Sequence, residues 1–322
     1  KEFESVIINQ QYQEDECNIS YKKIFFTNEA ILGSKVTNIK YIVEGEIKKV
    51  PPTLIYKDLT SLKNKKKNSN QNIKSEIKRG IDKKDNYKNL SPNLQLNWYW
   101  QKYNFILYPS FNLIKVIEYL QKYEIKNNNI YLGVAVSKVP SFPVSKNNII
   151  NQLSLEDIPQ TKIEVENNSK IWGLKKSKIL LNEDANIINL KSFFKDIHPK
   201  IFSIGTHTVQ SIKKDKSQED VLLLYPNPGE AIDESYLTPK KIENNNFSAD
   251  LVILSSCKTM ETENNFSRKN NLASSFLING SKSILVTYWQ IEDISTRIFM
   301  NTFFTKISNQ KTKYSEALKF GI

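Results

Sequence analysis

From residue 130 onward, short apolar runs alternate with longer segments that have helical periodicity. The runs are four to eight residues long and apolar on both faces, as expected for strands of a parallel sheet covered by helices. The predicted strands are Ile130–Val136, Lys176–Asn182, Lys200–His207, Asp250–Cys257 and Ser281–Trp289. Strands that alternate with helices in this way predict an α/β fold with right-handed crossovers.

The segments between these runs have the spacing of amphipathic helices. We predict helices over Thr161–Leu174, Asp184–Phe194, Asn271–Ile278 and Ile291–Ser308. In the second helix, Asp184 is a candidate cap, and Ala185, Ile188, Phe193 and Phe194 are candidates for the core. Between the third and fourth strands, a Pro-Asn-Pro-Gly turn at residues 226–229 predicts an inserted hairpin ahead of a short helix.

The pattern before residue 129 is less regular. Asn38–Val43 has the character of a strand, an aromatic strand precedes the turn at Pro109, and Leu113–Tyr123 has helical periodicity. We therefore divide the chain into an N-terminal α+β subdomain, residues 1–128, and a second part, residues 129–322.

The chain has 322 residues, of which 39% are hydrophobic, and a formal net charge of +12. This composition is typical of a globular protein. Ten basic and three acidic residues lie in one low-complexity run, residues 62–88, which reads as a solvated loop. The charge is therefore local, and we do not expect nucleic-acid binding. No apolar run approaches the roughly 20 residues of a membrane helix, so we expect no membrane association. The chain opens on Lys1 rather than Met, so we expect a fragment.

Two cysteines do not make a disulfide framework, which suggests a reducing, cytoplasmic setting. Cys257 ends one predicted strand and His207 ends another, and carboxyl ends of parallel strands share one edge of the sheet. An imidazole beside a thiol can take up its proton, so Cys257 is a candidate nucleophile and His207 a candidate general base. The structural alternatives are a small buried cysteine and a hydrogen-bonded strand-end histidine.

The remaining histidine and cysteine show no comparable placement. His198 precedes Pro199 outside the strand and is expected to be structural or exposed, and Cys17 belongs to no motif. Scattered in this way, the two histidines and two cysteines have no metal-ligand spacing, so we expect neither metal nor organic cofactor.

Several of these blocks together resemble the CHAT domain, a caspase-like protease domain related to separase and usually linked to tetratricopeptide repeats. The matching blocks are IGTH, DLVILSSCKT, LASSFLINGSKSILVTYWQIED and YSEALKFG, with looser matches in YNFILYPSFNLI and ILLNEDANIINLK. The resemblance implies a caspase-like, mainly parallel sheet flanked by helices, and a cysteine endopeptidase that cleaves protein substrates. It further implies tetratricopeptide repeats or a regulatory partner outside this fragment.

The resemblance also assigns roles to individual positions. It implies an oxyanion hole made by the backbone amides of Cys257 and Thr208, where the family usually has glycine in place of Thr208. A threonine at that position would be strained in a backbone conformation reserved for glycine. Asp293 resembles the aspartate that faces a basic side chain in separase-like members, which implies cleavage after Arg or Lys, and Trp289 either walls that pocket or fills the core.

Three alternatives to this interpretation remain open, of which nucleic-acid binding through the basic run at residues 62–88 is the least favoured. A pseudoprotease of the same fold, acting as a protein-interaction module, would follow if Thr208 abolished the oxyanion hole. The alternative to a specificity role for Asp293 is that Glu292 and Asp293 only place favourable negative charge at the amino end of a helix.

Overall fold

The structure is a computed structural model that describes the more C-terminal part of the chain in most detail. The described residues are 38–41, 104–107, 115, 119, 129–140, 155–212, 218–227, 229–230, 232–255, 272–287, 293–309 and 311–318. Cys17, the basic run at 62–88, Cys257 and Trp289 lie outside them.

The chain divides into two compact units. One contains residues 1–41 and 46–106, and the other contains residues 42–45 and 107–322. Two short strands, β1 (Asn38–Tyr41) and β2 (Asn104–Leu107), pair in a two-stranded sheet. The predicted division after residue 128, with an N-terminal α+β subdomain, stays a prediction.

A five-stranded sheet forms the centre of the second unit, and its strands run parallel. The strands are β3 (Tyr131–Ala135), β4 (Ser177–Leu181), β5 (Ile201–Gly205), β9 (Leu251–Ser255) and β10 (Ser283–Val286). Their order across the sheet is β10-β9-β5-β3-β4. Every residue of β3, β5 and β9 is buried, as expected for strands covered on both faces. The predicted parallel sheet flanked by helices is confirmed.

One face of the sheet is covered by helix α1 (Pro159–Trp172), together with helices near the C-terminal end of the described residues, α6 (Asp293–Ile307) and α7 (Tyr314–Ala317). Their shared cluster is largely aromatic and aliphatic. Its buried members are Tyr131, Trp172, Ile201, Leu251, Ile253, Met300, Phe303, Phe304, Ile307 and Ala317. In the described part of the chain, no helix is both long and apolar enough to span a membrane.

The opposite face is covered by α2 (Ile187–Asp196), α4 (Pro239–Asn244) and α5 (Leu272–Ile278). Aromatic rings from the sheet and helices meet here edge to face: the Phe202 ring lies 5.0 Å from that of Phe194 and 6.0 Å from that of Phe276. The three inner strands β3, β5 and β9 are therefore buried on both sides, whereas β4 and β10 are partly exposed.

A small antiparallel sheet is inserted between β5 and β9. It consists of β6 (Thr208–Ile212), β7 (Gln218–Leu223) and β8 (Tyr236–Leu237), and a short helix, α3 (Ile232–Ser235), precedes β8. The predicted hairpin is present: β7 and β8 pair antiparallel on either side of the Pro-Asn-Pro-Gly segment, ahead of α4. The prediction lacked β6, which begins directly after His207 and pairs with the other side of β7.

The start of α2 differs from the prediction. Residues Asn182–Asp184 form a single 3₁₀ turn, and the cap is Asn186, whose side chain accepts a hydrogen bond from the Asn189 amide at 2.9 Å. The buried face of the helix includes Ile187 and Leu190, whereas Ile188 is 56% exposed. Asp184 as cap and Ile188 as a core residue were wrong, whereas Ala185 is buried as predicted.

His198 lies at the amino end of β5, next to an ion pair between Lys282 and Asp250 whose atoms are 2.9 Å apart. Its Nε2 atom is buried and makes no hydrogen bond to the described residues. Burial lowers the pKa of His198, the Asp250 carboxylate raises it in opposition, and Lys282 lowers it further. His198 is thus a structural residue, one of the two outcomes expected for it.

The lowered pKa of His198 predicts a pH-dependent loss of stability. The unfolded chain binds a proton at His198 more readily than the folded chain, so the folded state is penalised as pH falls below about 6.5. We expect the difference in Tm between His198→Gln and the wild type to become more positive from pH 8 to pH 5. Thermal unfolding across this range measures it, and a difference that does not change with pH contradicts it.

Candidate functional site

His207 and Cys257 follow neighbouring strands that are in register. Gly205, the last residue of β5, pairs with Ser255, the last residue of β9. His207 and Cys257 each come two residues later in the sequence. The strands end earlier than predicted, at Gly205 and Ser255, yet both candidates still follow the carboxyl ends of adjacent parallel strands, where open α/β sheets bind ligands.

The imidazole of His207 is partly buried and oriented by a backbone group. Its Nε2 atom lies 2.8 Å from the carbonyl oxygen of Glu156. A carbonyl oxygen can only accept a hydrogen bond, so Nε2 carries the proton in this arrangement. The neutral ring then has its lone pair on Nδ1, which is the atom able to accept a proton from a thiol.

The loop that contains Glu156 is fixed to the chain that follows β3. The Ile158 amide donates to the Ser137 carbonyl at 2.9 Å, and the Val139 amide donates to Oδ1 of Asp157 at 2.8 Å. Both bonds are made by the two residues that directly follow Glu156, Asp157 and Ile158. The carbonyl that orients His207 is therefore held by hydrogen bonds rather than by packing alone.

Asn182 extends this support to the end of β4. Its Oδ1 atom accepts hydrogen bonds from the Ser137 amide and hydroxyl, each at 3.0 Å, and from the Lys138 amide at 3.2 Å. Its φ of 47° lies in the left-handed region that asparagine tolerates better than most residues. Sequence reasoning missed both Asn182 and Glu156. An asparagine directly after an apolar strand was the available signal for Asn182, and a backbone carbonyl leaves none.

Thr208, the proposed second oxyanion donor, begins β6 with an ordinary extended backbone. The described residues with positive φ other than glycine are Asn129, Asn182 and Asn246, so the expected strain at Thr208 is wrong. Thr208 lies opposite Leu222, and the Leu223 amide donates to the carbonyl of His207 at 3.0 Å. This pattern makes Thr208 and Leu222 a non-hydrogen-bonded pair, in which the Thr208 amide is directed away from β7.

The other predicted site residues are described less fully. Asp293 is the first residue of α6, and the structure describes its backbone position alone. Cys257 and Trp289 lie outside the described residues. The contact between Cys257 and His207, and the pocket formed by Asp293 and Trp289, stay predictions. Among the residues described, no three or more His, Cys, Asp or Glu side chains are grouped to hold a metal ion.

Comparison with known proteins identifies a family and a distant structural likeness. A family model described as the CHAT domain matches residues 86–319, well over half of the chain. No curated protein matches the sequence. Among solved structures, the chain is similar to the Arg-specific cysteine proteinase gingipain R, with 9% identity and a TM-score of 0.47. The match covers 95% of this chain and 60% of that one.

Proposed function

The chain belongs to the CHAT domain family, as the sequence blocks predicted, and on that premise we propose that it is a cysteine endopeptidase that cleaves protein substrates after Arg or Lys. His207 and Cys257 would form the catalytic dyad. The observation that supports the proposal is the register of β5 and β9, which pairs Gly205 with Ser255, the residues two positions before His207 and Cys257 in the sequence.

In the first step, His207 would act as the base. The hydrogen bond to Glu156 leaves Nδ1 as the acceptor, so a proton would pass from Sγ of Cys257 to Nδ1. The thiolate then attacks the scissile carbonyl carbon, forming the C–S bond as the carbonyl electron pair moves onto oxygen. The resulting imidazolium keeps its Nε2 donor on Glu156, so the ring need not turn between steps.

The oxyanion formed in this step requires hydrogen-bond donors. The backbone amides of Cys257 and Thr208 would supply them, and a backbone donor does not depend on the side chain of the residue that carries it. The extended backbone of Thr208 and the direction of its amide support this role. Loss of one such donor costs about a hundredfold or more in rate.

The acyl enzyme is then resolved by the same histidine. When the tetrahedral intermediate collapses, the C–N bond breaks and the imidazolium of His207 gives its proton to the leaving amine. A water molecule, deprotonated by the neutral ring, next attacks the thioester and releases the new carboxyl terminus and the thiol. These steps use side chains and backbone groups of this chain.

Substrate choice would depend on Asp293 and Trp289. A carboxylate at Asp293 would bind an arginine guanidinium through two parallel hydrogen bonds, or a lysine less specifically. Trp289 would form one wall of that pocket. The substrate is then a protein segment with an exposed basic residue, and tetratricopeptide repeats or a regulatory partner would control access to it.

Labelling with peptidyl ketones tests the proposal. The purified chain is incubated separately with an Arg-directed and an Asp-directed reagent, and adducts are measured by intact mass. We expect the Arg reagent to add once and the adduct to disappear in Cys257→Ala and His207→Ala, because both a thiol and a base are needed. Cys17→Ala and His198→Gln serve as matched controls and should label as the wild type does.

The pseudoprotease is the alternative outcome of this experiment. If Cys257 stays unreactive with both reagents, and also with a regulatory partner present, the chain is a binding module of the same fold. Labelling that persists in His207→Ala, or that moves to Cys17, contradicts the dyad. Labelling by the Asp reagent alone keeps the dyad but overturns the basic specificity.

A further inference from the structure

The face of the central sheet that packs on α1 changes character along its strands. Near the amino ends it carries large side chains, Tyr131, Ile201 and Leu251, all buried in the aromatic cluster with α6. Towards the carboxyl ends the same face carries small or polar residues. These are Gly133, Ala135, Ser203, Gly205 and Ser255, and the large exception is Ile253, in register with Ser203. A layer of small and polar residues therefore lies beneath the edge of the sheet that leads to His207 and Cys257.

A buried carboxylate from α1 enters this layer. Glu164 is 2% exposed, and its Oε1 atom accepts a hydrogen bond from the hydroxyl of Ser255 at 3.0 Å. The two residues are 91 positions apart in the sequence. Ser255 is the final residue of β9, and only Ser256 separates it from Cys257. This bond therefore acts on the backbone immediately before the proposed nucleophile.

Tyr131 brings a second polar group to Glu164. Its ring lies along β3 over Gly133, where an added Cβ would stand 2.6 Å from the hydroxyl oxygen. Burial and the nearby Glu164 carboxylate raise the pKa of Tyr131 far above its usual range, while the Ser203 and Asn168 side chains oppose this rise. Tyr131 therefore remains a neutral hydroxyl beside the carboxylate.

The fold alone does not call for a carboxylate at this position. Burying a carboxylate costs free energy unless hydrogen bonds compensate, and apolar groups of similar volume often serve stability as well or better. The contacts of Glu164 instead join α1 to the end of β9. What such a bond provides is a fixed position, and displacement of a reacting group by about 1 Å can cost roughly a hundredfold in rate.

We propose that Glu164 is a positioning residue for the nucleophile: through Ser255 it fixes the end of β9, and thereby the place at which Cys257 stands beside His207. The inference rests on the proposed function and adds a residue to it. Glu164 touches neither substrate nor reacting atoms, so its effect passes through the hydrogen bond to Ser255.

The test is the pH dependence of alkylation of Cys257 by iodoacetamide, measured in a Cys17→Ala background where Cys257 is the sole thiol. A thiolate paired with an imidazolium reacts well below the ordinary thiol pKa of about 8.5, and the midpoint reports that pairing. We expect Ser255→Ala and Glu164→Gln each to raise the midpoint by about one pH unit and to slow alkylation at pH 6.5 about tenfold. Wild type and His207→Ala set the two limits of the scale.

Ser203→Ala is the matched control. Ser203 is also buried and lies on the neighbouring strand in the same layer, so this change deletes an equivalent hydroxyl without removing the bond between Glu164 and Ser255. Its midpoint should equal that of the wild type, even if thermal unfolding shows a similar loss of stability. In the double variant, Glu164→Gln with Ser255→Ala, the midpoint should move no further than in either single variant.

The outcomes separate this inference from the proposed function. If His207→Ala raises the midpoint while Ser255→Ala leaves it unchanged, the dyad stands and the role of Glu164 is overturned. If Ser203→Ala raises it as much as Ser255→Ala, the layer acts only through general packing, and the inference is again overturned. If wild type and His207→Ala give the same profile, no pair exists and both proposals fall. Should Glu164→Gln fail to fold, the two serine variants decide alone.

Discussion

Replacing His207 by alanine is expected to lower kcat/KM on an Arg-containing peptide by about a hundredfold to ten-thousandfold, the range typical of a positioned general base. Without the imidazole, the thiol of Cys257 loses its proton acceptor, and the leaving amine loses its proton donor. The loss should appear mainly in kcat, because the ring is not proposed to bind the substrate in the ground state. Steady-state hydrolysis of a fluorogenic peptide measures both parameters.

His198→Ala is the matched control for this prediction. It removes the chain's other histidine, which precedes the opposite end of β5, and should leave kcat/KM within about twofold of the wild type, since the change is remote from the reacting groups. Equal losses in the two variants would indicate damage to β5 rather than loss of a base. An unchanged kcat/KM in His207→Ala would remove this residue from the mechanism.

Replacing Leu190 by alanine is expected to reduce the free energy of unfolding by about 2–5 kcal/mol, the usual cost of such a truncation in a core. Leu190 is fully buried. It lies in the hydrophobic cluster between α2 and the sheet, which also contains Phe202 and Leu132. The cavity left behind would be surrounded by close-packed side chains that cannot collapse into it. Denaturant unfolding measures the loss.

Ile188→Ala on the same helix is the control. Ile188 is 56% exposed, so truncation removes little buried area and should change the free energy of unfolding by less than about 0.5 kcal/mol. Comparable losses in the two variants would contradict the register of α2. Peptide hydrolysis should persist in both variants while they remain folded.

The strands could be predicted from sequence because each is a short apolar run with no polar face. YLGVA, IFSIG and LVILS are buried throughout, and at five residues each they have the length of a buried strand and are too short for a typical helix. The start of α2 could not be predicted in the same way. Asp184 and Asn186 are both good caps, and the choice depended on Asn182, whose turn delays the helix.

The residues of the candidate site also differ in whether the neighbouring sequence reveals them. His207 could be found because it follows an apolar strand, a property of neighbouring residues. Glu156 and Glu164 act through contacts across 51 and 91 positions of sequence, and neither belongs to a local motif. Glu164 in particular reads as one more polar residue on α1, because the helix carries polar residues on its buried side as well. Long-range polar pairs of this kind become visible only when the chain is folded.

The place of β5 and β9 within the sheet determines how well the backbone before His207 and Cys257 is protected. Each has a hydrogen-bonded neighbour on both sides, whereas β4 and β10 are the edges of the described sheet. Proteins open locally from their least protected segments, and an edge strand can detach while the interior ladder stays closed. Fraying of β4 or β10 would thus leave the pairing of Gly205 with Ser255 intact. The backbone that leads to His207 and Cys257 should therefore be lost only when the whole domain unfolds.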